Sequence, residues 1–425
     1  MHQTVFYIIV SILAIEFAWD RFLLYLNTTK WSDKIPPELQ GFYDADKYAR
    51  QQRYAKVNHT LGWVTSIYGL VLIMVLLFMD GFAWLDQWAL SFTDNPIYRA
   101  MIFLGALGLG STILNIPFSI YGTFVIEEKF GFNKTTPKIF VLDIIKSLLV
   151  GAILGGGILA LIIWFYQITG EFFWLYAWGL MTAFMLLITL FYTSVLLPLF
   201  NKQTPLEDGE LKTAIQNFCY KVKFKLDNVY VMDGSKRSTK ANAFFSGLGA
   251  KKRIVLYDTL VNDLKTDEIV AVLAHEVGHY KKKHTLWGMV SGMIQTGIML
   301  FIFSLFVDSP VLSKALGVPE PAFHIGLLAF GILYSPISGI SGMLSAILSR
   351  KNEYEADAFA AKNHDPQALI TALKTISVNA LSNLTPHPWY VFFHYSHPPL
   401  LARVRALNKI KCPSRPLQTE VPKRG

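Results

Sequence analysis

Two histidines four residues apart on a helix can grip one metal ion, and this chain carries such a pair in His275-Glu276-Val277-Gly278-His279. The four-residue step puts both imidazoles on one helix face, about one turn apart. Glu276 lies beside them, where its carboxylate can take a proton from a water activated by the metal. A solvated histidine pair with no metal is the plain alternative. The apolar run Ile269-Val270-Ala271-Val272-Leu273-Ala274 just upstream argues for a buried helix instead. Unpaired imidazoles are costly in such a place.

A catalytic zinc normally takes three protein ligands and leaves one position for water. The next acid-rich stretch is Asn352-Glu353-Tyr354-Glu355-Ala356-Asp357, which reads as a helix. Glu353 and Asp357 are four apart and share a face; Glu355 points elsewhere. The economical assignment makes Glu353 the third ligand. Asp357 then accepts the free ring N–H of one histidine and fixes its tautomer, and Glu355 is a solvated charge. An ordinary polar helix face is the competing reading of these acids. A third cluster, His394-Tyr395-Ser396-His397-Pro398-Pro399 followed by Arg403, holds His397 on a proline-stiffened loop. That is a place for a donor to a developing oxyanion, or for an inert surface histidine.

These residues need elements to carry them. Thr266-Asp267-Glu268 opens the helix of the histidine pair, with Thr266 as its cap and acids in the first turn. Upstream, 226–232 and Arg253–Tyr257 read as short strands, with a turn at Asp233-Gly234-Ser235. Around them the chain is unlike a soluble enzyme. Of its 425 residues 52% are apolar and 16% are charged, against roughly 25% charged in average soluble domains. Two cysteines, Cys219 and Cys412, make neither a disulfide framework nor a CxxC metal site.

Crossing a bilayer takes about 20 mainly apolar residues. Seven stretches qualify, near 4–26, 61–84, 100–124, 144–167, 173–199, 285–307 and 323–348. Asn115 and Pro117 predict a kink in the third. No signal-peptide pattern precedes the first, which reads as a retained anchor. Lys and Arg crowd the loops after the first, third and fifth spans and the tail after the seventh. The opposite side has Arg99 and Lys314. The positive-inside rule then puts the N-terminus outside and the active site on the cytoplasmic face. Basic loops beside anionic lipid account for the net charge of +9, so no nucleic-acid partner is expected. The chain divides into 1–200 with five spans, 201–284 with HExxH, 285–348 with two spans, and 349–425 with the third ligand and the tail. The fold class is mainly α.

Taken together these residues resemble the type I CAAX prenyl protease family of integral-membrane zinc peptidases. The resemblance runs over most of the chain. It includes the segment from Tyr121 to Lys134, Gly234-Ser235-Lys236-Arg237-Ser238, Asn242-Ala243-Phe244-Phe245, His275–His279, Glu353–Asp357 and the stretch 394–399. It implies seven helices forming a barrel around a water-filled chamber, closed on the cytoplasmic side by a zincin-like domain. It implies one zinc per chain on His275, His279 and Glu353, with Glu276 as acid/base. By the same resemblance Asn242 holds substrate backbone beside an edge strand, a place that also fits capture by strand addition. His397 is then the transition-state donor and Arg403 its support. The implied substrates are membrane-associated or lipid-modified, prenyl-type peptides. A compact chain ending Pro422-Lys423-Arg424-Gly425, with no dilysine-type signal, points to a bacterial inner membrane, with the endoplasmic reticulum as the alternative. Bacteria do not generally prenylate proteins, so a membrane quality-control protease without prenyl specificity stays open. A catalytically silent scaffold or chaperone is a competitor from another class, and Glu276 weighs against it. A transporter, motivated by Glu16, Asp20, Arg21 and Lys146, is weaker, because these sit near span ends.

Overall fold

The computed structural model describes residues 1–32, 34–226, 228–246 and 253–410. Cys412 and residues 422–425 lie outside them. Among the described residues the chain is mainly helical, with one small sheet.

Five helical stretches are long and apolar enough to cross a membrane: Ala45–Phe78, Pro96–Glu127, Pro137–Phe200, His284–Ser304 and Phe323–Asn363. The third is 64 residues long. It holds both the fourth and fifth expected spans, folded back on each other at Gly170, whose φ is +53°. The first expected span is a continuous 27-residue helix, His2–Thr28, but is not among the five. The second expected span needs moving. Its helix starts at Ala45, and Asp80, at φ 50°, separates it from the helix Gly81–Leu90. Side-chain caps and N-terminal prolines start two of the long helices. Asn95 accepts from the Ile97 and Tyr98 amides ahead of Pro96, and Thr136 accepts from Ile139 ahead of Pro137. Both satisfy amides that the first turn leaves free. Pro117 stays inside its helix, and the wide turns of Tyr121–Glu127 follow it.

The sheet has the order β1-β2-β4-β3. Here β1 is Gln203–Pro205, β2 Asn228–Met232, β3 Ala243–Ser246 and β4 Arg253–Tyr257. The strand expected at 226–232 therefore begins at Asn228; Asp227 lies outside the described residues. β2 and β4 are parallel, whereas β1 and β3 join antiparallel at the two edges. The helix Thr266–Lys281 packs between this sheet and the end of Phe323–Asn363. It shares a core with Ile254, Leu256, Leu369 and Val404. Thr266 is its first helical residue rather than its cap. The Glu268 carboxylate reaches back to the Lys265 amide at 3.0 Å and satisfies that donor instead.

Candidate metal centre

Two helices bring the site together because a glycine lets them touch. A Cβ on Gly278 would lie 3.0 Å from the Ala356 Cα and 3.1 Å from its carbonyl oxygen. With hydrogen there instead, the HExxH helix seats against the backbone of Phe323–Asn363. Glu353, one turn before the contact, is thereby brought level with the histidines.

The Nε2 atoms of His275 and His279 are 3.1 Å apart. Glu353 Oε2 lies 3.4 Å from His275 Nε2, and Oε1 lies 3.2 Å from His279 Nε2. These three residues are the cluster of metal-ligating type found among the described residues. Glu353 is 3% exposed, and its buried Oε2 has no hydrogen-bond partner. A buried carboxylate oxygen left so is expensive. Two nitrogens and one carboxylate oxygen converging on a point fit a zinc ion with one position left open.

The surrounding charges favour a cation there. His275 Nδ1 is 2.9 Å from Asp357 Oδ1. Arg403 grips the same carboxylate through two hydrogen bonds of 2.9 and 2.6 Å, and its Nη1 lies 3.3 Å from Glu353 Oε2. Arg403 thus braces Asp357 and Glu353, where support of His397 was expected. Burial pushes the His275 imidazole down, but Asp357 and Glu353 outweigh it and hold it at about 9. Burial also pushes the Glu276 carboxyl up, against a weaker pull from the two imidazoles. A carboxyl raised in this way suits proton transfer near neutrality.

A cavity of about 510 Å³ opens on the cluster. Glu276 and His397 line it, as do Asn242 and Phe244, and an aliphatic wall of Leu369, Leu373 and Ile376. His397 is exposed, with Nε2 3.3 Å from Glu353 Oε1. Its loop follows the helix Pro388–His394. Arg350, one turn before Glu353 on the long helix, donates to the Val391 and Tyr395 carbonyls at the end of that helix. The loop is thereby tied to the ligand helix. Asn242 is exposed at the start of β3, its backbone oxygen accepting from the Tyr257 amide at 3.0 Å. β3 is an edge strand, paired with β4 alone among the described residues.

Some residues without a role in the sequence reading turn out to hold this edge. Lys240 Nζ donates at 2.9 Å both to Tyr54 Oη and to Glu127 Oε2. Arg237 grips Asp143 at 2.7 and 2.8 Å and donates to the Phe200 carbonyl. The segment around Asn133 runs against Ser238. The loop leading to Asn242 is thus bolted to three membrane helices. Partners 37 to 186 residues apart leave no spacing signal. Glu355, expected to be solvated, places Oε2 3.4 Å from His284 Nε2.

Residues 25–202 match the family model described as CAAX prenyl protease N-terminal, five membrane helices. Residues 205–411 match the model for peptidase family M48. The chain is 35% identical to CAAX prenyl protease 1 of Saccharomyces cerevisiae, over 93% of each chain. It is 30% identical to the CAAX prenyl protease 1 homolog of Homo sapiens, also over 93% of each. The crystal structure of S. mikatae Ste24p superposes with a TM-score of 0.89 at 33% identity, covering 95% of this chain and 99% of that one.

Proposed function

This chain belongs to the CAAX prenyl protease 1 family, within peptidase family M48, and from that premise we propose that it cleaves lipid-modified, prenyl-type peptides at a single zinc held by His275, His279 and Glu353. It is an integral-membrane metallopeptidase. The observation that carries the zinc reading is the convergence of the buried Glu353 carboxylate, one oxygen of which has no hydrogen bond, with two imidazole nitrogens.

When bound, the ion acts as a Lewis acid that makes water a competent nucleophile near neutral pH. The protein's own groups do the rest. The edge strand β3 and the Asn242 side chain hold an extended peptide backbone across the cavity. Glu276 takes a proton from the attacking water as its oxygen bonds to the scissile carbonyl carbon. It then gives that proton to the departing amine nitrogen as the C–N bond breaks. His397 donates to the carbonyl oxygen as negative charge gathers there. Arg403 and Asp357 hold His275 in its tautomer.

In this reading the helices form seven spans around a chamber, with His2–Thr28 as the first and the Gly170 hairpin as two. The apolar windows of the five long stretches are only 6–11% buried within the protein, as suits surfaces that face lipid. The segments 1–200, 201–284, 285–348 and 349–425 alternate between membrane and peptidase, and the join between the two family matches, at 202–205, lies close to the first of these boundaries. The zinc face is cytoplasmic. The relatives quoted are eukaryotic, which favours the endoplasmic reticulum over a bacterial inner membrane. The deciding experiment incubates purified protein with matched prenylated and unmodified peptides and reads the cuts by mass spectrometry. Cleavage of both alike would turn the reading to a general quality-control protease. Metal-bound protein that cuts neither would turn it to a scaffold.

A further inference from the structure

The two histidine ligands are braced from behind by different chemistry. His275 has a carboxylate at its outer nitrogen. His279, with Nε2 facing the cluster, turns Nδ1 toward another ring: His284 Nδ1 lies 3.0 Å away. On its far side His284 Nε2 is 3.4 Å from Glu355 Oε2. The His284 side chain is 9% exposed. We propose that His284 and Glu355 are positioning residues that fix the ring and tautomer of His279 for the metal, and that the chain break at Lys283 exists to put His284 there.

The break is legible in the backbone. The HExxH helix ends at Lys281, and a helix of membrane-spanning length starts at His284. Between them Lys283 has φ 60° and ψ 27°, a left-handed conformation that lysine rarely adopts. A continued helix would carry residue 284 away from residue 279, since residues five apart lie well off one another's face. The left-handed step turns the first residue of the new helix back over the previous turn. Two Nδ1 atoms at 3.0 Å need one proton between them. A His279 that offers Nε2 to a cation must carry its own proton on Nδ1, so His284 accepts there and donates from Nε2 to Glu355. The alternative partner of Glu355, the exposed Lys351, is 4.0 Å away and contributes little.

This inference rests on the metal reading, and wild-type zinc content decides that reading separately. The test is a chelator-competition titration of zinc, with the visible absorption spectrum of the cobalt-substituted protein, on wild type and variants. His284→Ala should bind zinc about 10- to 100-fold more weakly, the usual effect of removing a group behind a ligand. Its cobalt spectrum should shift. His284→Asn keeps an acceptor oxygen near the Nδ1 position and should recover most of the affinity. Glu355→Gln should weaken zinc a few-fold in the wild type and add nothing to His284→Ala. Lys283→Gly, free to adopt the same φ, should bind as wild type does. Wild-type affinity and spectrum in His284→Ala would overturn the proposal. So would equal losses in His284→Ala and His284→Asn, since packing alone would then account for both.

Discussion

At the scale of single residues, Glu276 separates metal binding from chemistry. Glu276→Gln keeps size and packing and removes the base. Zinc should remain bound while turnover falls by about 10² to 10⁴, the usual contribution of general acid/base catalysis. Wild-type turnover in this variant would rule out water activation at this site. His397→Ala should also keep zinc and lose roughly 10² to 10³, as for one oxyanion donor. Metal affinity should carry a pH signature from His275. Its folded value, about 9, stands above the ordinary 6.5. The metal-free protein therefore gains stability from this protonated imidazole below about 6.5, and that gain is lost as pH rises through about 9. Zinc must displace the same proton. Its affinity should climb about tenfold per pH unit from neutrality to about 9 and then flatten. A flat profile between pH 7 and 9 in chelator competition would contradict the protonated His275. His275, Glu276, His279, Glu353 and Asp357 were legible in sequence because helix periodicity turns spacing into geometry. His284 was not, because only a left-handed residue at 283 folds it back.

At the scale of elements, the site depends on two helices touching at Gly278. Gly278→Leu should push the HExxH helix off Phe323–Asn363 and separate His275 and His279 from Glu353. The strain of overpacking is about 1–3 kcal/mol, and zinc affinity should drop at least tenfold. Adding Ala356→Gly should not rescue it. The clash is with the Ala356 Cα and carbonyl oxygen, which glycine retains. Restored zinc binding in the double variant would show that the helices do not meet as described. Long apolar helices and strands were readable from apolar runs and turn residues, but their ends were not. The helix of the second expected span starts in a polar stretch at Ala45, and that of the seventh expected span runs on to Asn363, since periodicity does not register where lipid stops and water begins. The clamps of Lys240 and Arg237 were unreadable for another reason: their partners come from distant helices. Lys240→Met frees the loop before Asn242, so it should raise KM more than it lowers kcat in steady-state cleavage.

At the scale of the whole molecule, one helix long and apolar enough to cross a membrane carries the metal centre at one end. His324 and Glu353 lie on Phe323–Asn363, 29 residues apart in number, which is about 44 Å at 1.5 Å per residue. A bilayer with its headgroups is about 40–45 Å thick. At the His324 end the helix is pinned in a buried polar knot. His324 Nε2 lies 2.8 Å from Asp86 Oδ1, and Arg99 Nε donates to the same carboxylate at 2.9 Å. In the proposed arrangement the zinc ligands and this knot belong to opposite faces. The helix His284–Ser304 starts at the metal centre and ends where Phe303 packs on Phe323, next to the knot, so the proposed topology puts residues 305–322 across the membrane from the peptidase part. Charge is the ground for the proposed direction. Residues 27–60, on the peptidase side, carry Lys30, Lys34, Lys47, Arg50, Arg53 and Lys56, whereas 305–322 carry Lys314 alone. In a background with Cys219 and Cys412 replaced by alanine, a cysteine at exposed Lys314 should react in sealed membranes with an impermeant maleimide from the side opposite the cytoplasm. One at exposed Lys225, in the peptidase part, should react from the cytoplasmic side. The reverse pattern would keep the helix count and overturn the orientation. Labelling of both from one side would mean that His284–Ser304 or Phe323–Asn363 does not cross, and the peptidase and the knot would then share a face.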